Sequence, residues 1–395
     1  MHTLLKILPL HTQIIISISI IILSGFLMSR VTKYFKLPTV TGYIVAGIII
    51  GPDILHLIPR ELVKNFSFIS DVALSFIAFD VGRFLKREVI ESSGIRIILL
   101  TIAEALAAGI LVFLSSKFLF HLDFNFALLL GAIATATAPA STMMTIKEFR
   151  AKGDFINTLL QVVAFDDVVC LLVFSASIAW VQNTGSAIGF LKPILFNLLA
   201  MGIGLFIGLI LHYLMTPSRS QDNRLLIAVA LILLLTGFCQ ILGVSSLLSC
   251  MICGATYRNN RNSGNLFRQL NNFTPPIMTL FFIVSGMNLS LGTVFSLKVI
   301  GIGYVLIRIL GKYLGSYFAG KALAFDLKTY KYLGLALVPQ AGVALGLGFM
   351  GQRLLGGEIG NLFLNIILAS SVLYELIGPA LAKYAILNGA DSIEE

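Results

Sequence analysis

The sequence predicts an all-α polytopic membrane protein of about thirteen transmembrane helices, and three observations carry that expectation. Of its 395 residues, 57% are hydrophobic and only 12% charged, against roughly 25% charged in soluble domains. The apolar residues fall in blocks near the ~20 needed to cross a bilayer as a helix. The basic residues alternate between the connections, as positive-inside topology requires.

The blocks are, in order, 12–30, 38–54, 66–83, 94–116, 124–147, 154–180, 189–214, 222–241, 243–257, 273–290, 294–320, 330–351 and 358–385. The connections are short, so no soluble domain of any size is expected. Lys6 precedes the first block and Arg30, Lys33 and Lys36 follow it, with no small-residue cleavage site. It therefore reads as a first membrane helix and not a removed signal. The connections after blocks 1, 3, 5, 7, 9 and 11, with the C-terminus, hold 19 of the 28 Lys and Arg residues. The N-terminus and the remaining connections hold 7, and the last two, Arg308 and Lys312, fall inside block 11. The alternation predicts an outer N-terminus and a cytoplasmic C-terminus, with Trp180 an interfacial anchor at the outer end of its helix.

The formal charge of +9 suggests no nucleic-acid partner, because the basic residues form no stripe that could track phosphates. Cys170, Cys239, Cys250 and Cys253 lie inside apolar runs. Cys250-x-x-Cys253 has neither a second pair nor a nearby His, so all four read as packing residues. No nucleotide loop or redox motif appears, and no cofactor is expected. The tail from Asn388 to Glu395 is too brief to regulate much.

Two blocks are interrupted in the same way. Block 5 breaks at Thr135-Ala-Thr137-Ala-Pro139 and block 12 at Val338-Pro339-Gln340-Ala-Gly342, with prolines 200 residues apart. An odd number of spans between the two halves inverts their topology. Paired broken helices in inverted six-helix repeats point to a transport site near the midplane. Simple proline kinks are the plainer reading.

Ionisable groups in hydrocarbon cost upward of ~3 kcal/mol, so each is a functional candidate. Asp166 and Asp167 are adjacent in the middle of block 6 and project about 100° apart on a helix. One can face a cavity and ligate a cation while the other meets a partner inside the bundle. Burial favours the protonated carboxyl and a nearby cation the ionised one, so the pair can trade protons for a metal ion. A buried salt-bridge pair is the structural alternative. Arg308 and Lys312 share one face of block 11, one turn apart. Lys can lose its proton where Arg effectively cannot, which makes Lys312 the proton-linked partner. Arg308 is then a fixed charge, pairing with Glu104 or Glu375. Those two glutamates read as structural partners, and Asp80 as either a site residue or a partner of Arg83. The hydroxyls and freed carbonyls from Thr135 to Ser141 offer the oxygen ligands hard cations want.

These residues resemble the cation–proton antiporter superfamily, most closely its NapA-like bacterial Na+/H+ antiporters with a double Asp and an intramembrane Lys. The resemblance spans the chain: Leu37-Pro38-Thr39-Val40-Thr41-Gly42-Tyr43, Gly51-Pro52, the Thr135–Pro139 break, Asp166-Asp167, Gly311-Lys312-Tyr-Leu-Gly315, Val338 to Gly346 and Glu375-Leu-Ile-Gly-Pro379. It implies a homodimeric secondary transporter, not an enzyme, of the bacterial inner membrane. It also implies a transport bundle (94–180 and 294–385) that moves elevator fashion against a dimerisation scaffold (12–83 and 222–290), joined by a linker helix at 189–214. Asp167 would be the principal Na+ ligand, Asp166 the partner of Lys312, and Thr137 a further ligand. Phe79-Asp80-Val81-Gly82 is similar to the Phe-Glu-x-Gly of electroneutral relatives, but Arg83 and Phe84 follow where many relatives have an acid. A nucleotide-binding domain, as in potassium-efflux relatives, is missing. A K+/H+ antiporter of the same fold, a channel and an intramembrane aspartyl enzyme are the competing expectations. The enzyme would place its aspartates on two different helices.

Overall fold

The computed structural model describes residues 9–34, 39–83, 85, 87–138, 142, 146, 149–182, 191–216, 218–260, 265–289, 298–340 and 342–392. Among these, the regular structure is all helical apart from one isolated antiparallel bridge, Lys152 to Ser392. The helices are α1 Leu10–Tyr34, α2 Thr39–Ile50, α3 Arg60–Asn65, α4 Ser67–Gly82, α5 Arg87–Leu114, α6 Phe124–Ala134, α7 Asp154–Gln182 and α8 Leu191–Leu214. There follow α9 Gln221–Leu242, α10 Ser246–Asn260, α11 Asn265–Phe273, α12 Pro275–Asn288, α13 Lys298–Ala322, α14 Leu327–Ala336, α15 Gly342–Leu355 and α16 Gly357–Gly389. Eight helical stretches are long and apolar enough to cross a membrane, and three shorter helices are apolar too. This is a multi-pass membrane protein.

Two of these helices are short and polar enough to escape a search for apolar blocks. The six-residue α3 leads into α4. The amphipathic α11 buries Leu266, Phe267 and Leu270 on one side.

Packing follows small residues, as it does where helix association must rely on close van der Waals contact. A methyl group on Gly254 of α10 would fall 2.1 Å from the Phe79 carbonyl oxygen of α4, and one on Gly286 of α12 equally close to that of Ile44 in α2. Helix α10 also packs on α8 and α9, and α1 on α2. A second set of contacts joins α5 to α6, α7 and α13, α13 to α14, and α16 to both α14 and α15. Between the sets, Arg353 of α15 grips both carboxylate oxygens of Asp71 in α4, at 2.8 and 3.0 Å.

The site lies in the second set, where two helices stop short. Helix α6 is capped at its start by the Asp123 carboxylate, which accepts from the Asn125 amide, and α14 by Asp326, which accepts from the Thr329 amide. Both end inside the protein, at Ala134 and Ala336, and the backbone runs on unwound through Thr135–Ala138 and Leu337–Gln340. Such backbone survives at membrane depth only where protein satisfies it. Here each break helps satisfy the other. The Ala138 amide donates to the Pro339 carbonyl at 2.8 Å, the Thr137 hydroxyl to Leu337 O at 3.2 Å and the Thr142 hydroxyl to Ala336 O at 3.0 Å.

Candidate functional site

Three helices aim buried charge at this crossing. Helix α13 presents Tyr304, Arg308 and Lys312 at four-residue spacing, a single face. Its glycines bring that face close. A methyl on Gly311 would lie 2.6 Å from the Ala108 Cα of α5, and one on Gly315 would lie 2.8 Å from the Glu104 Cα. With no side chain between the backbones, Lys312 meets Glu104 directly.

Lys312 is fully buried, and its ammonium spends all three protons on protein. It donates to Asp166 Oδ2 at 2.7 Å, to Glu104 Oε1 at 3.2 Å and to the Thr135 carbonyl at 2.8 Å. Glu104 Oε2 is 3.0 Å away and adds charge attraction, but lies outside hydrogen-bonding geometry. The ammonium is therefore shared between a carboxylate of α7, a carboxylate of α5 and the end of α6.

Arg308 does something sequence reasoning did not foresee. Its guanidinium donates from Nε to Ala134 O at 2.9 Å, from Nη1 to Val338 O at 2.8 Å and from Nη2 to Ala136 O. One side chain thus caps the carbonyl ends of both half-helices, where the helix dipoles leave partial negative charge. Of the two expected partners, Glu104 is taken by Lys312, and the Glu375 side chain lies outside the described residues. The ring of Tyr374 lies 4.6 Å from the guanidinium carbon. Gln340 ties the same region together, donating to Ile133 O at 2.8 Å and accepting from the Tyr304 hydroxyl at 3.2 Å.

The carboxylates of α7 face this framework from the other side. Asp166 is fully buried and Asp167 is 3% exposed. Oδ1 of each is buried without a hydrogen-bond partner. Counting formal charges, Asp166, Asp167 and Glu104 oppose Arg308 and Lys312, leaving one negative charge when all are ionised. Among the described residues no three His, Cys, Asp or Glu side chains converge as a metal-holding group. A cation here would lean on the two α7 carboxylates and on neutral oxygens of the break, among them Thr137 and Thr135; the Thr135 hydroxyl itself donates to Ala132 O.

Most of the residues expected at the site are brought together: Asp166, Asp167, Thr135, Thr137, Lys312, Arg308, Glu104, Pro339 and Gln340. Pro139 lies outside the described residues. Asp80 sits near the end of α4 with Oδ2 3.2 Å from Arg83, engaged with that neighbour and not with the cluster. Tyr304 and Tyr374 were missed, although the 304, 308, 312 spacing marks Tyr304 as a neighbour of the charged face.

The chain is similar to known proteins over almost its whole length. Residues 16–383 match the model of the family described as "Sodium/hydrogen exchanger, transmembrane". The chain is 24% identical to the Na(+)/H(+)-K(+) antiporter GerN of Bacillus cereus, over 93% of this chain and 95% of that protein. It is 26% identical to the Na(+)/H(+) antiporter NhaS4 of Synechocystis sp., over 84% and 86%. Its fold is that of the sodium proton antiporter MjNhaP1 of Methanocaldococcus jannaschii, with a TM-score of 0.79 at 17% identity, covering 96% of this chain and 99% of that one.

Proposed function

Because the chain belongs to the sodium/hydrogen exchanger family, we propose that it is a secondary antiporter that exchanges Na+ or Li+ for H+ across the membrane, with Asp166 and Asp167 as the shared binding site. The observation that carries this reading is the charge of the buried cluster. Three carboxylates face two cations, and two carboxylate oxygens of α7 have no donor. A buried site that carries one net negative charge when its groups are ionised favours uptake of a cation, and H+ and Na+ compete for the same oxygens. That mutual exclusion is what couples the two flows.

Asp167, which makes no ion pair among the described residues, is the principal ion ligand. Asp166 is the acceptor that Na+ and the Lys312 ammonium contest, and Thr137 with its neighbouring carbonyls fills the shell. Na+ takes the place of the proton on Asp167 and, by winning Asp166 from Lys312, of one ammonium proton, so two protons leave for each Na+ and the exchange moves charge. The bundle of residues 94–180 and 294–385 carries the site past a scaffold of 12–83 and 222–290, with 189–214 between them. Thirteen spans, an outer N-terminus, a cytoplasmic C-terminus, a homodimeric assembly and a bacterial inner membrane complete the reading. The names of two relatives, GerN and the K(+)/H(+) antiporter subunit KhtU of Bacillus subtilis, support K+ as a competing substrate.

The test is fluorescence dequenching in everted vesicles, titrated with Na+, Li+ and K+. Asp167→Asn should fold normally and abolish exchange of every cation, because a neutral amide cannot offset a buried cation. Full-rate exchange by Asp167→Asn would refute the site, and a response to K+ alone would replace the substrate.

A further inference from the structure

Glu104 is a member of the cluster to which the ion-binding reading gives no ligand role. It lies on α5, fully buried, and its carboxylate touches the same ammonium as Asp166. The groups facing it are Lys312 from α13, Asp166 from α7 and, through the same ammonium, the Thr135 carbonyl at the end of α6. The glycine contacts that press α13 onto α5 are centred on this pair. A backbone shaped to bring a second carboxylate against an already paired lysine needs a reason, since every buried charge costs desolvation.

We propose that Glu104 is a positioning residue that sets the affinity for Na+ by sharing the Lys312 ammonium with Asp166. The proposal rests on the reading of Asp166 and Asp167 as the ion site. An ammonium divided between two carboxylates binds each less firmly than it would bind one. Glu104 therefore loosens the contact that Na+ must displace at Asp166. It also keeps Lys312 tethered beside the break, together with the Thr135 carbonyl, once Asp166 turns to the ion. Without Glu104, Lys312 closes wholly on Asp166 and competes harder with the cation. That competition weakens Na+ binding.

The full-length protein, purified and reconstituted, tests this in two readouts: the apparent KM for Na+ in proteoliposomes, and the Na+ concentration giving half of its thermal stabilisation in detergent. Glu104→Gln should raise both by about tenfold, the factor for one weak charge-assisted hydrogen bond transferred to Asp166, with a smaller change in Vmax. Glu104→Asp should recover part of the shift. Gly315→Ala, which pushes α13 off Glu104 without changing any charge, should move both readouts the same way. The Glu104→Gln factor should also shrink in a Lys312→Gln background. A purely structural Glu104 would lower Vmax or Tm at unchanged KM, and that result overturns the proposal. So does a factor that stays the same without Lys312. Asp167→Asn, measured alongside, separates the two readings: if Na+ still stabilises that variant, the ion site itself is wrong. If it does not and Glu104→Gln behaves as wild type, only the role of Glu104 fails.

Discussion

Replacing Arg308 by Lys keeps the buried charge and removes the fork, so it isolates what the guanidinium geometry contributes. Three carbonyls from two breaks converge on Arg308: Ala134 at 2.9 Å, Val338 at 2.8 Å, and Ala136. A charged donor to a buried carbonyl contributes ~1.5–3 kcal/mol. Arg spreads its N–H groups in a rigid plane, whereas Lys ends in a single compact ammonium. An ammonium seated on the Ala134 side abandons Val338, and the reverse strands Ala134 or Ala136. Losing one or two of the three bonds should therefore cost about 2–5 kcal/mol, less than a strict sum because the bonds share one network. The Tyr374 ring, 4.6 Å from the guanidinium carbon, loses its planar partner as well. Thermal unfolding of the purified protein in detergent should show Arg308→Lys melting well below wild type. Arg308→Gln, which also discards the charge, should melt lower still. A Tm equal to wild type for Arg308→Lys, with normal transport, would refute the idea that this side chain joins the two breaks.

Three further outcomes follow from the same geometry. Thr137→Val removes one neutral oxygen from the proposed shell and the donor to Leu337 O; at ~1–3 kcal/mol for an unmet contact, the apparent KM for Na+ should rise, and an unchanged KM for both Na+ and Li+ would place the ion elsewhere. Exchange of two protons for one Na+ moves one charge, worth ~2.3 kcal/mol per 100 mV. Wild-type liposomes under a valinomycin-set potential should respond to voltage, and Lys312→Gln should be slow or electroneutral; exchange without current would rule out the two-proton stoichiometry. At the C-terminus, the Asp391 carboxylate accepts from Lys328 at 3.0 Å and from the Asp154 amide that opens α7. The hydrogen bond from Lys328, then that from the Asp154 amide, hold its pKa below the ordinary carboxylate value. A depressed folded-state pKa gives a contact that is present above the usual carboxylate range and is lost only as pH falls through the lowered value. Protection of the amides around 153–156 and 389–392 from hydrogen exchange, relative to the unstructured rate at each pH, should therefore persist until pH falls through the lowered value, and Asp391→Asn should reduce it already at neutral pH.

How much of this was legible in the sequence depends on whether a contact involves side chains of unusual type. Asp166, Asp167 and Lys312 stood out because charge inside an apolar block is costly, and the matched prolines marked the two breaks. The partners of Arg308 left no trace, since a backbone carbonyl looks the same at every residue. Glu104 was read as a structural partner, but its assignment to Lys312 requires α5 and α13 to touch across 208 residues. Gly311 and Gly315 bring the two helices together, but a glycine does not name what it packs against. Helices α3 and α11 were overlooked because neither is an apolar block, and α11 shows only one buried stripe. The C-terminal residues looked inert in sequence, yet Asp391 and Ser392 pair with Lys152 and Asp154 through main-chain and side-chain bonds. A polar tail is recognisable as such, but what it lies against is not.

The double duty of Arg308 also sets a timetable for the chain's assembly. Ala134 is made 174 residues before the guanidinium that caps it, and the opposing strand of the crossing arrives later still, since Val338 follows Arg308 by 30 residues. At ~5–20 residues per second, the first break leaves the ribosome on the order of ten to forty seconds before its partners exist. Through that interval its carbonyls have only water or the insertion machinery to bond. The caps on the first break are therefore supplied by helices made after it, and the carboxy-terminal half is what seals the amino-terminal one.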